Sequence, residues 1–194
     1  MSRGNDAEKV VQRGQWLVRE GDNMTEKKRL LDFLTHENRE NILLRNWMSH
    51  DGHWFRHVAE EFGPEAANRL NMRTCRSIGK TDWFRLAKAL GIETVESLVQ
   101  FLEVFKAAWQ LYGPPHIDVD ITIKDNRITA QVKKCFAYEG VKSVGMEKIY
   151  DCGIFERIRS WIDAAGIEYE LKPPIGKCLK AQGKECRRTI VLHI

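Results

Sequence analysis

The chain has 194 residues, of which 43% are hydrophobic and 30% are charged, a composition typical of a folded globular protein. Its 31 basic and 27 acidic side chains leave a formal charge of +4, too small an excess to indicate nucleic-acid binding unless it is concentrated on one face. No apolar run approaches the roughly 20 residues that a membrane-spanning helix needs. The first residues contain neither an apolar segment nor a small-residue cleavage site, so they do not predict a secretory signal. We therefore expect a cytoplasmic protein that binds neither nucleic acid nor membranes, with cysteines that are thiols or metal ligands rather than disulfides.

The first half of the chain carries the apolar spacing that is typical of helices. Residues 1–23 are polar and interrupted by glycine, which predicts a mobile N-terminal arm. Residues 24–113 are then predicted to form a helical region, with helices at about 37–62, 64–90 and 95–112. Gly63 suits the position after a helix, and Gly79 would allow a further break inside the second helix.

The pattern changes at Gly113, Pro114 and Pro115, the clearest boundary in the sequence. Residues 117–123 and 128–134 alternate between apolar and polar types around a KDNR turn, which predicts a β-hairpin. A helix over about 140–165 and strands at 167–171 and 189–194 are expected to follow. The sequence therefore predicts an α+β fold, in which the helical half packs on a small antiparallel sheet of order β-β-α-β-β at residues 114–194.

Four of the five cysteines lie in the last 60 residues, although none has the CxxC spacing that makes a zinc site a strong prediction. Cys135 is expected at the end of a hairpin strand and Cys152 at the start of a helix, while Cys178 and Cys186 flank a turn-like segment. Four thiolates at these places could bind one zinc ion, and the lysines and arginines around the last pair would help the thiols to ionise. The alternative is that these cysteines are small buried hydrophobic residues, the interpretation that we favour for Cys75.

Histidines are concentrated in the segment that precedes Gly63. On an α-helix, His50, His53 and His57 fall within about 60° of one another, a spacing that could chelate a divalent ion or present an imidazole base. The apolar face of the same helix is centred about 100° away from them. We therefore favour surface histidines on an amphipathic helix.

Asp51 falls in the middle of that apolar face, between Trp47 and Trp54. A carboxylate there must be hydrogen-bonded or must accept a proton, as a general acid, a general base or a ligand contact does. Alternatively, Asp51 or Ser49 caps a new helix that begins at Gly52. The sequence leaves these two interpretations open.

A resemblance to a known family is carried by the run DGHWFRHVAEEFGPEAANRLN, the Leu90-Gly91-Ile92 ending, and the spaced Cys135, Cys152, Pro173-Pro174 and Cys186. These features resemble uncharacterised prokaryotic cytosolic proteins that are loosely grouped with L-2-amino-thiazoline-4-carboxylic acid hydrolases. The resemblance covers most of the chain from about residue 25 onward.

The C-terminal half is also similar to the vinyl-4-reductase domain and to the ligand-sensing domain of phenol-responsive activators. The resemblance implies a hairpin, helices and further strands around a small-molecule pocket. In the phenol sensors, three cysteines and one glutamate bind zinc, and the last two cysteines are separated by seven residues, as Cys178 and Cys186 are. The present sequence departs from that pattern at Ile175, which stands where the sensors have the glutamate.

We predict a small-molecule-binding protein with a zinc clamp formed by Cys135, Cys152, Cys178 and Cys186. The ligand is expected between the helical half and the sheet. Its predicted contacts are Trp47, Trp54, Phe55 and Tyr138 as apolar walls, and Asp51 and His53 as polar groups. The sequence identifies no catalytic residue and is compatible with a homo-oligomer.

The main alternative is a metal-dependent hydrolase of a small heterocyclic or amide substrate. Four protein ligands would then be too many, because a catalytic ion keeps one coordination position for water. A thiol-redox role would instead need Cys135 or Cys152 to be exposed and to have a lowered pKa. A plain interaction module would need only the N-terminal helices.

Overall fold

The computed structural model describes residues 30–113 and 117–193, together with two short strands before them. In chain order its elements are β1 (Val11–Arg13), β2 (Trp16–Val18), a 3-10 turn (Leu30–Phe33), α1 (His36–Ala89), α2 (Leu98–Tyr112), β3 (Ile117–Lys124), β4 (Arg127–Cys135), α3 (Phe136–Ser143), α4 (Gly153–Ala164), β5 (Glu168–Lys172), a 3-10 turn (Lys180–Gln182) and β6 (Arg187–His193). The chain divides into two units, residues 1–46 and 47–194. Every residue predicted to bind a ligand or a metal belongs to the second unit.

In the first unit, β1 and β2 pair in an antiparallel ladder. The other residues of the predicted arm at 1–23 lie outside the described residues, so the arm stays a prediction, as do the predicted domain boundaries. At the start of α1, the Thr35 hydroxyl accepts a hydrogen bond from the backbone N–H of Asn38 at 3.1 Å. This is the geometry of a helix N-cap, and it satisfies a backbone donor that the helix itself cannot satisfy.

Helix α1 has the break predicted at Gly63 and lacks the one suggested at Gly79. Gly63 has φ 82° and ψ 164°, a conformation that glycine tolerates best, and Pro64 then begins the second helical segment. Gly79 instead lies in unbroken helix and is buried. A Cβ at Gly79 would lie 2.5 Å from the Arg157 carbonyl oxygen and 2.8 Å from the Ser160 Cβ. The absence of a side chain at Gly79 therefore allows α1 and α4 to approach closely, and the helix does not break there.

The prediction of one helix over residues 140–165 is wrong, because two helices, α3 and α4, occupy this region. The segment between them pairs with another part of the chain. The Cys152 N–H donates to the Gly176 carbonyl at 2.9 Å, and the Cys178 N–H donates to the Tyr150 carbonyl at 3.0 Å. These hydrogen bonds flank the antiparallel bridge between Asp151 and Lys177. Backbone groups that are used in this way cannot continue a helix.

The predicted sheet is confirmed, with four antiparallel strands in the order β3-β4-β6-β5. The β3–β4 hairpin closes with Lys124 opposite Arg127. Asp125 adopts a positive φ of 52° in the two-residue turn, which matches the twist of a tight hairpin. Strand β6 then lies between β4 and β5, so the last strand of the chain occupies an interior position.

Helices α1, α2 and α4 pack with the sheet around one hydrophobic core, which confirms the predicted α+β class. Its fully buried members include Trp83, Phe101, Val104, Phe105, Ala108, Ile128, Phe155, Trp161, Ile162, Ile190 and Leu192. A smaller cluster contains Phe55, Ala59, Ala67, Val141, Tyr150 and Cys178. The two clusters meet around the first turn of α4, where the predicted metal ligand Cys152 is the N-cap residue.

Two ion pairs with buried carboxylates fix α4 against α1. Arg157 Nε contacts Asp82 Oδ2 at 2.5 Å, and Glu156 Oε1 accepts hydrogen bonds from Arg76 and Arg159 at 2.6 Å each. A buried carboxylate is stable only when it is paired in this way. The start of α4 is consequently held in a defined position.

Candidate functional site

Two of the predicted ligand contacts, His53 and Trp54, lie on an exposed groove along α1. The groove has a volume of about 580 Å³ and is lined by His50, His53, Trp54, His57, Val58, Glu60, Glu61 and Phe62. The rings of His53 and His57 stack with their centroids 6.5 Å apart, and His57 Nδ1 lies 3.0 Å from Glu60 Oε2. The groove is therefore an open helix surface on which apolar side chains lie among histidines and glutamates.

The other aromatic contacts lie elsewhere. Phe55 is buried and packs edge-on against Tyr150, with ring centroids 5.4 Å apart, and Tyr138 packs against the same cluster. The Trp47 ring lies 4.2 Å from the guanidinium carbon of Arg157. The six predicted ligand contacts consequently do not line one pocket. A helical wheel predicts which residues share a face, but the side chains that fill the space beyond that face come from distant parts of the chain.

Asp51 lies within continuous helix, so the interpretation that it caps a new helix is wrong. Its side chain is 53% exposed, and Oδ1 lies 3.7 Å from His50 Nδ1. Partial burial raises the pKa of the Asp51 carboxyl, while His50 and Arg157 act in the opposite direction. The carboxylate thus lies at the solvent edge of the apolar face rather than in its middle.

The four C-terminal cysteines, here called the cysteine cluster (Cys135, Cys152, Cys178 and Cys186), come from four separate segments. Cys135 ends β4 and is the N-cap residue of α3, while Cys152 is the N-cap residue of α4. Cys178 immediately follows Lys177, whose bridge partner Asp151 lies just before α4. Cys186 immediately precedes β6. The last three are buried, and Cys135 is partly buried.

Backbone and side-chain hydrogen bonds join these segments. The segments that contain Cys152 and Cys178 are paired through the antiparallel bridge between Asp151 and Lys177. The Cys186 carbonyl accepts a hydrogen bond from the Val132 N–H at 2.8 Å, which ties this residue to β4. Lys180 Nζ donates to the Lys133 carbonyl at 2.7 Å, so the 3-10 turn after Cys178 lies against the end of the same strand. The fold therefore brings all four segments to one place.

The four thiols lie close enough to interact electrostatically in every pairing. Burial raises the pKa of Cys135 to about 11, and Cys178 and Cys186 add to the increase. Burial likewise raises the pKa of Cys152 to about 11, with contributions from Cys135 and Cys178. The pKa of Cys186 is raised to about 11 by burial and by the neighbouring Cys152 and Cys178. The sequence separates these residues by up to 51 positions, and the fold brings them within electrostatic reach of one another.

Two thiols also lie at helix N-termini. Burial has the larger effect and raises the pKa of the Cys135 thiol, whereas the backbone N–H groups of Tyr138 and Ala137 lower it. The Phe155 N–H has the same effect on the Cys152 thiol at the start of α4. Such donors stabilise a thiolate, which is the form that binds a metal. These two positions are thus prepared for a sulfur that carries negative charge.

In the part of the chain that the structure describes, no three His, Cys, Asp or Glu side chains are arranged to hold a metal ion as they stand. The zinc clamp is therefore not formed by these side-chain positions, although its four residues meet. The donor set itself suits zinc, because four thiolates are a common structural site. A cysteine sulfur can occupy three staggered positions about its Cα–Cβ bond. A change of rotamer would therefore move each sulfur relative to the others.

Two residues beside the cluster were not singled out from the sequence. Arg188 is 1% exposed, and the Tyr150 hydroxyl is buried near Cys152 and Cys135. A signal for Arg188 was available, because it shares one face of β6 with the buried Ile190 and Leu192. An arginine at an apolar position of an alternating strand indicates a buried cation that needs a partner. Tyr150 offers no comparable signal, since it lies in an irregular segment.

Cys75, the fifth cysteine, lies on α1 near the start of α4. Its sulfur donates to Asn71 Oδ1 at 3.7 Å and would be 2.8 Å from a Cβ at Gly153. Burial raises the pKa of this thiol to about 12, and among its charged neighbours only Arg157 acts against this effect. Its electrostatic neighbours include Cys152 but none of the other members of the cysteine cluster. Cys75 is partly buried, and its interpretation as a small packing residue stays a prediction.

We expect the thiols of the metal-free folded protein to react slowly with iodoacetamide at pH 8. A pKa of about 11 instead of the ordinary 9.0 leaves about 100-fold less thiolate at this pH. The alkylation rates of Cys135 and Cys152 should therefore be about 100-fold lower than in the unfolded chain and should rise until the pH reaches about 11. Mass spectrometry of the labelled peptides measures both rates. Equal rates in the folded and unfolded chain at pH 8 would contradict the burial of these thiols.

Comparison with known proteins identifies a family. The pattern of a family of unknown function (DUF6125) matches residues 24–179, and no curated protein matches the chain. Neither comparison connects it with the thiazoline-carboxylate hydrolases, with vinyl-4-reductase or with the phenol sensors, so those resemblances stay predictions. None of the helices in the described ranges is long and apolar enough to cross a membrane.

Proposed function

Since the chain belongs to DUF6125, a family of unknown function, we propose a function from its geometry: it binds one zinc ion through the cysteine cluster, as a structural clamp. The observation that carries this proposal is the mutual proximity of all four thiols. Thiolate is a preferred zinc ligand, and four thiolates at about 2.3 Å form a closed tetrahedral site.

The ion would add a further link between segments that hydrogen bonds already join. It would link the end of β4 and the first turn of α3 to the first turn of α4 through Cys135 and Cys152. It would also fix the segment between Cys178 and Cys186, whose regular structure is limited to the 3-10 turn Lys180–Gln182. Because this segment leads into an interior strand of the sheet, the clamp would stabilise the fold directly.

Burial supports a structural ion over a catalytic one. The exposed fractions of Cys152, Cys178 and Cys186 are 8%, 6% and 9%, so a water on the ion would have little access to a substrate. The raised pKa values of Cys135 and Cys152 likewise disfavour a thiol-redox role, which depends on an accessible thiolate. The metal-dependent hydrolase is accordingly the weaker alternative.

We also propose that the folded protein binds a small molecule. The groove on α1 contains His53 and Trp54, with the apolar side chain of Phe62 beside them. A groove with a few polar groups among apolar ones is a common form of ligand site, although such sites are usually more enclosed.

Zinc titration of the metal-free, reduced protein against a chromophoric chelator tests the proposal. We expect one zinc ion per chain. Serine in place of any one of Cys135, Cys152, Cys178 or Cys186 should raise the zinc Kd by more than about 100-fold, because changing a residue outside the ligand set can already raise it by that much. Cys75→Ser is the matched control, because it removes a partly buried thiol outside the cluster and should leave the affinity unchanged. Circular dichroism verifies that each variant is folded. Absence of zinc binding by the unaltered protein, or equal losses in the cluster variants and Cys75→Ser, would contradict the clamp.

A further inference from the structure

Strand β3 is an edge strand, because β4 is its only neighbour among the described strands. Val132 of β4 stands opposite Val119, yet the Val132 N–H donates to the Cys186 carbonyl, on the β6 side of β4, at 2.8 Å. Backbone groups alternate between the two sides of a strand, so Val119, Ile121 and Ile123 direct their N–H and C=O groups away from β4. No described residue forms a hydrogen bond with these outward groups. They are therefore free to pair with another strand.

The length and composition of β3 distinguish it from β5, the strand at the other edge. β3 has eight residues and no proline, whereas β5 has five residues and is followed by Pro173 and Pro174. Short strands and prolines usually protect a sheet edge against pairing with another chain. The residues of β3 with outward backbone groups also have partly buried apolar side chains that pack against the hydrophobic core. A strand added beside β3 would extend both the hydrogen-bond ladder and this apolar layer.

The exposed side chains of β3 carry opposite charges at the two ends of the strand. Asp118 and Asp120 lie near its start, and Lys124 is its last residue. Asp120 forms an ion pair with Lys133 at 2.8 Å, whereas Asp118 and Lys124 form none with the described residues. Lys124 instead stands opposite a second cation, Arg127, in the ladder. Because like charges in that arrangement are unfavourable, this end of β3 would be stabilised by an anion.

We propose that β3 pairs with β3 of a second copy of this chain, antiparallel and with Ile121 at the twofold axis. The two Ile121 residues then face each other, and Val119 of one copy faces Ile123 of the other. Each facing pair exchanges two hydrogen bonds, since these are the residues with outward backbone groups. Asp118 of one copy faces Lys124 of the other, and the symmetry of the dimer forms this pair twice. This inference is independent of the proposed zinc clamp.

The neighbouring registers that keep the outward groups paired are less favourable. With Asp120 at the axis, two carboxylates would face each other, which is destabilising. With Thr122 at the axis, Lys124 would face Asp120, which already has Lys133 as its partner. The register centred on Ile121 is thus the one that gives both Asp118 and Lys124 a partner of opposite charge.

The association of the full chain is measured by sedimentation velocity over a range of protein concentrations. Contact along one strand edge is small beside the roughly 1,200–2,000 Å² of a stable complex, so we expect a dimer that dissociates on dilution. Asp118→Lys and Lys124→Asp should each raise the dimer Kd by about 10-fold, because two attractive cross-strand pairs become repulsive. Glu168→Lys makes the same change of charge at the exposed edge of β5 and should leave the dimer Kd unchanged.

Mixing the two charge variants separates a direct contact from an effect on folding. In a mixed dimer of Asp118→Lys and Lys124→Asp, both cross-strand pairs again join a cation to an anion. The equimolar mixture should therefore associate about as tightly as the unaltered protein, although each variant alone associates weakly. Circular dichroism verifies that both variants are folded. A mixture that associates no better than either variant alone would overturn the proposed register.

Hydrogen exchange of the backbone amides tests the paired edge itself. The amides of Val119, Ile121 and Ile123 should exchange slowly in the dimer and rapidly after dilution, whereas those of Asp120 and Thr122 bond to β4 and should stay protected. The inference is overturned by a chain that stays monomeric at every concentration, by a dimer whose Kd neither charge variant changes, or by outward amides that exchange equally in monomer and dimer. None of these results bears on zinc binding.

Discussion

Removal of zinc is expected to lower the melting temperature of the zinc-loaded protein by about 8–16 °C. A ligand that binds only the folded chain stabilises it by about 4 kcal/mol when its free concentration is 1,000 times Kd. For a chain of this size, each kcal/mol shifts the melting temperature by about 2–4 °C. The stabilisation should be large because the proposed ion would join four segments, one of which leads into an interior strand. Thermal melts followed by circular dichroism, with and without a chelator, measure the shift.

Two variants make this experiment specific. Cys75→Ser should show the full shift, because Cys75 lies outside the cysteine cluster. Cys178→Ser should melt at the lower temperature with or without chelator, since it lacks one ligand. Identical melting temperatures of the unaltered protein before and after verified removal of zinc would show that no ion stabilises the fold.

Gly79→Ala is expected to destabilise the protein by about 3 kcal/mol, at the upper end of the usual cost of overpacking. The added Cβ would lie 2.5 Å from the Arg157 carbonyl oxygen and 2.8 Å from the Ser160 Cβ. Both atoms belong to α4, and a backbone oxygen cannot rotate away, so the two helices must separate. Because Cys152 begins α4, the same variant should also weaken zinc binding.

Gly52→Ala is the matched control for Gly79→Ala. It lies on the same helix α1, and a Cβ there would meet nothing within 4 Å. This substitution should stabilise the protein by about 0.5–1 kcal/mol, because alanine favours the helix. Urea denaturation of both variants gives the two free energies of unfolding. Similar effects at the two positions would contradict the close contact between α1 and α4.

The sequence predicted those features of the fold that local chemistry controls. The alternation at residues 117–134 identified the hairpin, and the glycine before Pro64 identified the break in α1. Gly79 shows where this kind of reasoning fails. A glycine inside a helix can indicate a break or a close neighbour, and only the position of α4 distinguishes them. The division between α3 and α4 was missed for a related reason, because residues near Tyr150 pair with a distant segment.

The candidate site shows the same contrast. The cysteines could be selected from the sequence because thiols are rare and chemically distinctive. The aromatic residues could not, since Trp47, Phe55 and Tyr138 are also ordinary packing residues, and the structure uses two of them in a buried cluster. Arg188 could have been identified as buried from the alternation of β6, where it shares a face with Ile190 and Leu192, but the strand pattern does not identify its partner.

Metal analysis of the protein purified without added metal tests the cysteine clamp most directly. Elemental analysis and thiol counting are carried out on the same sample, before and after treatment with a chelator. We expect one zinc ion per chain and four C-terminal cysteines that become reactive only after the ion is removed, as a four-thiolate site requires. A protein that carries no metal and whose cysteines react equally with and without chelator would contradict this account.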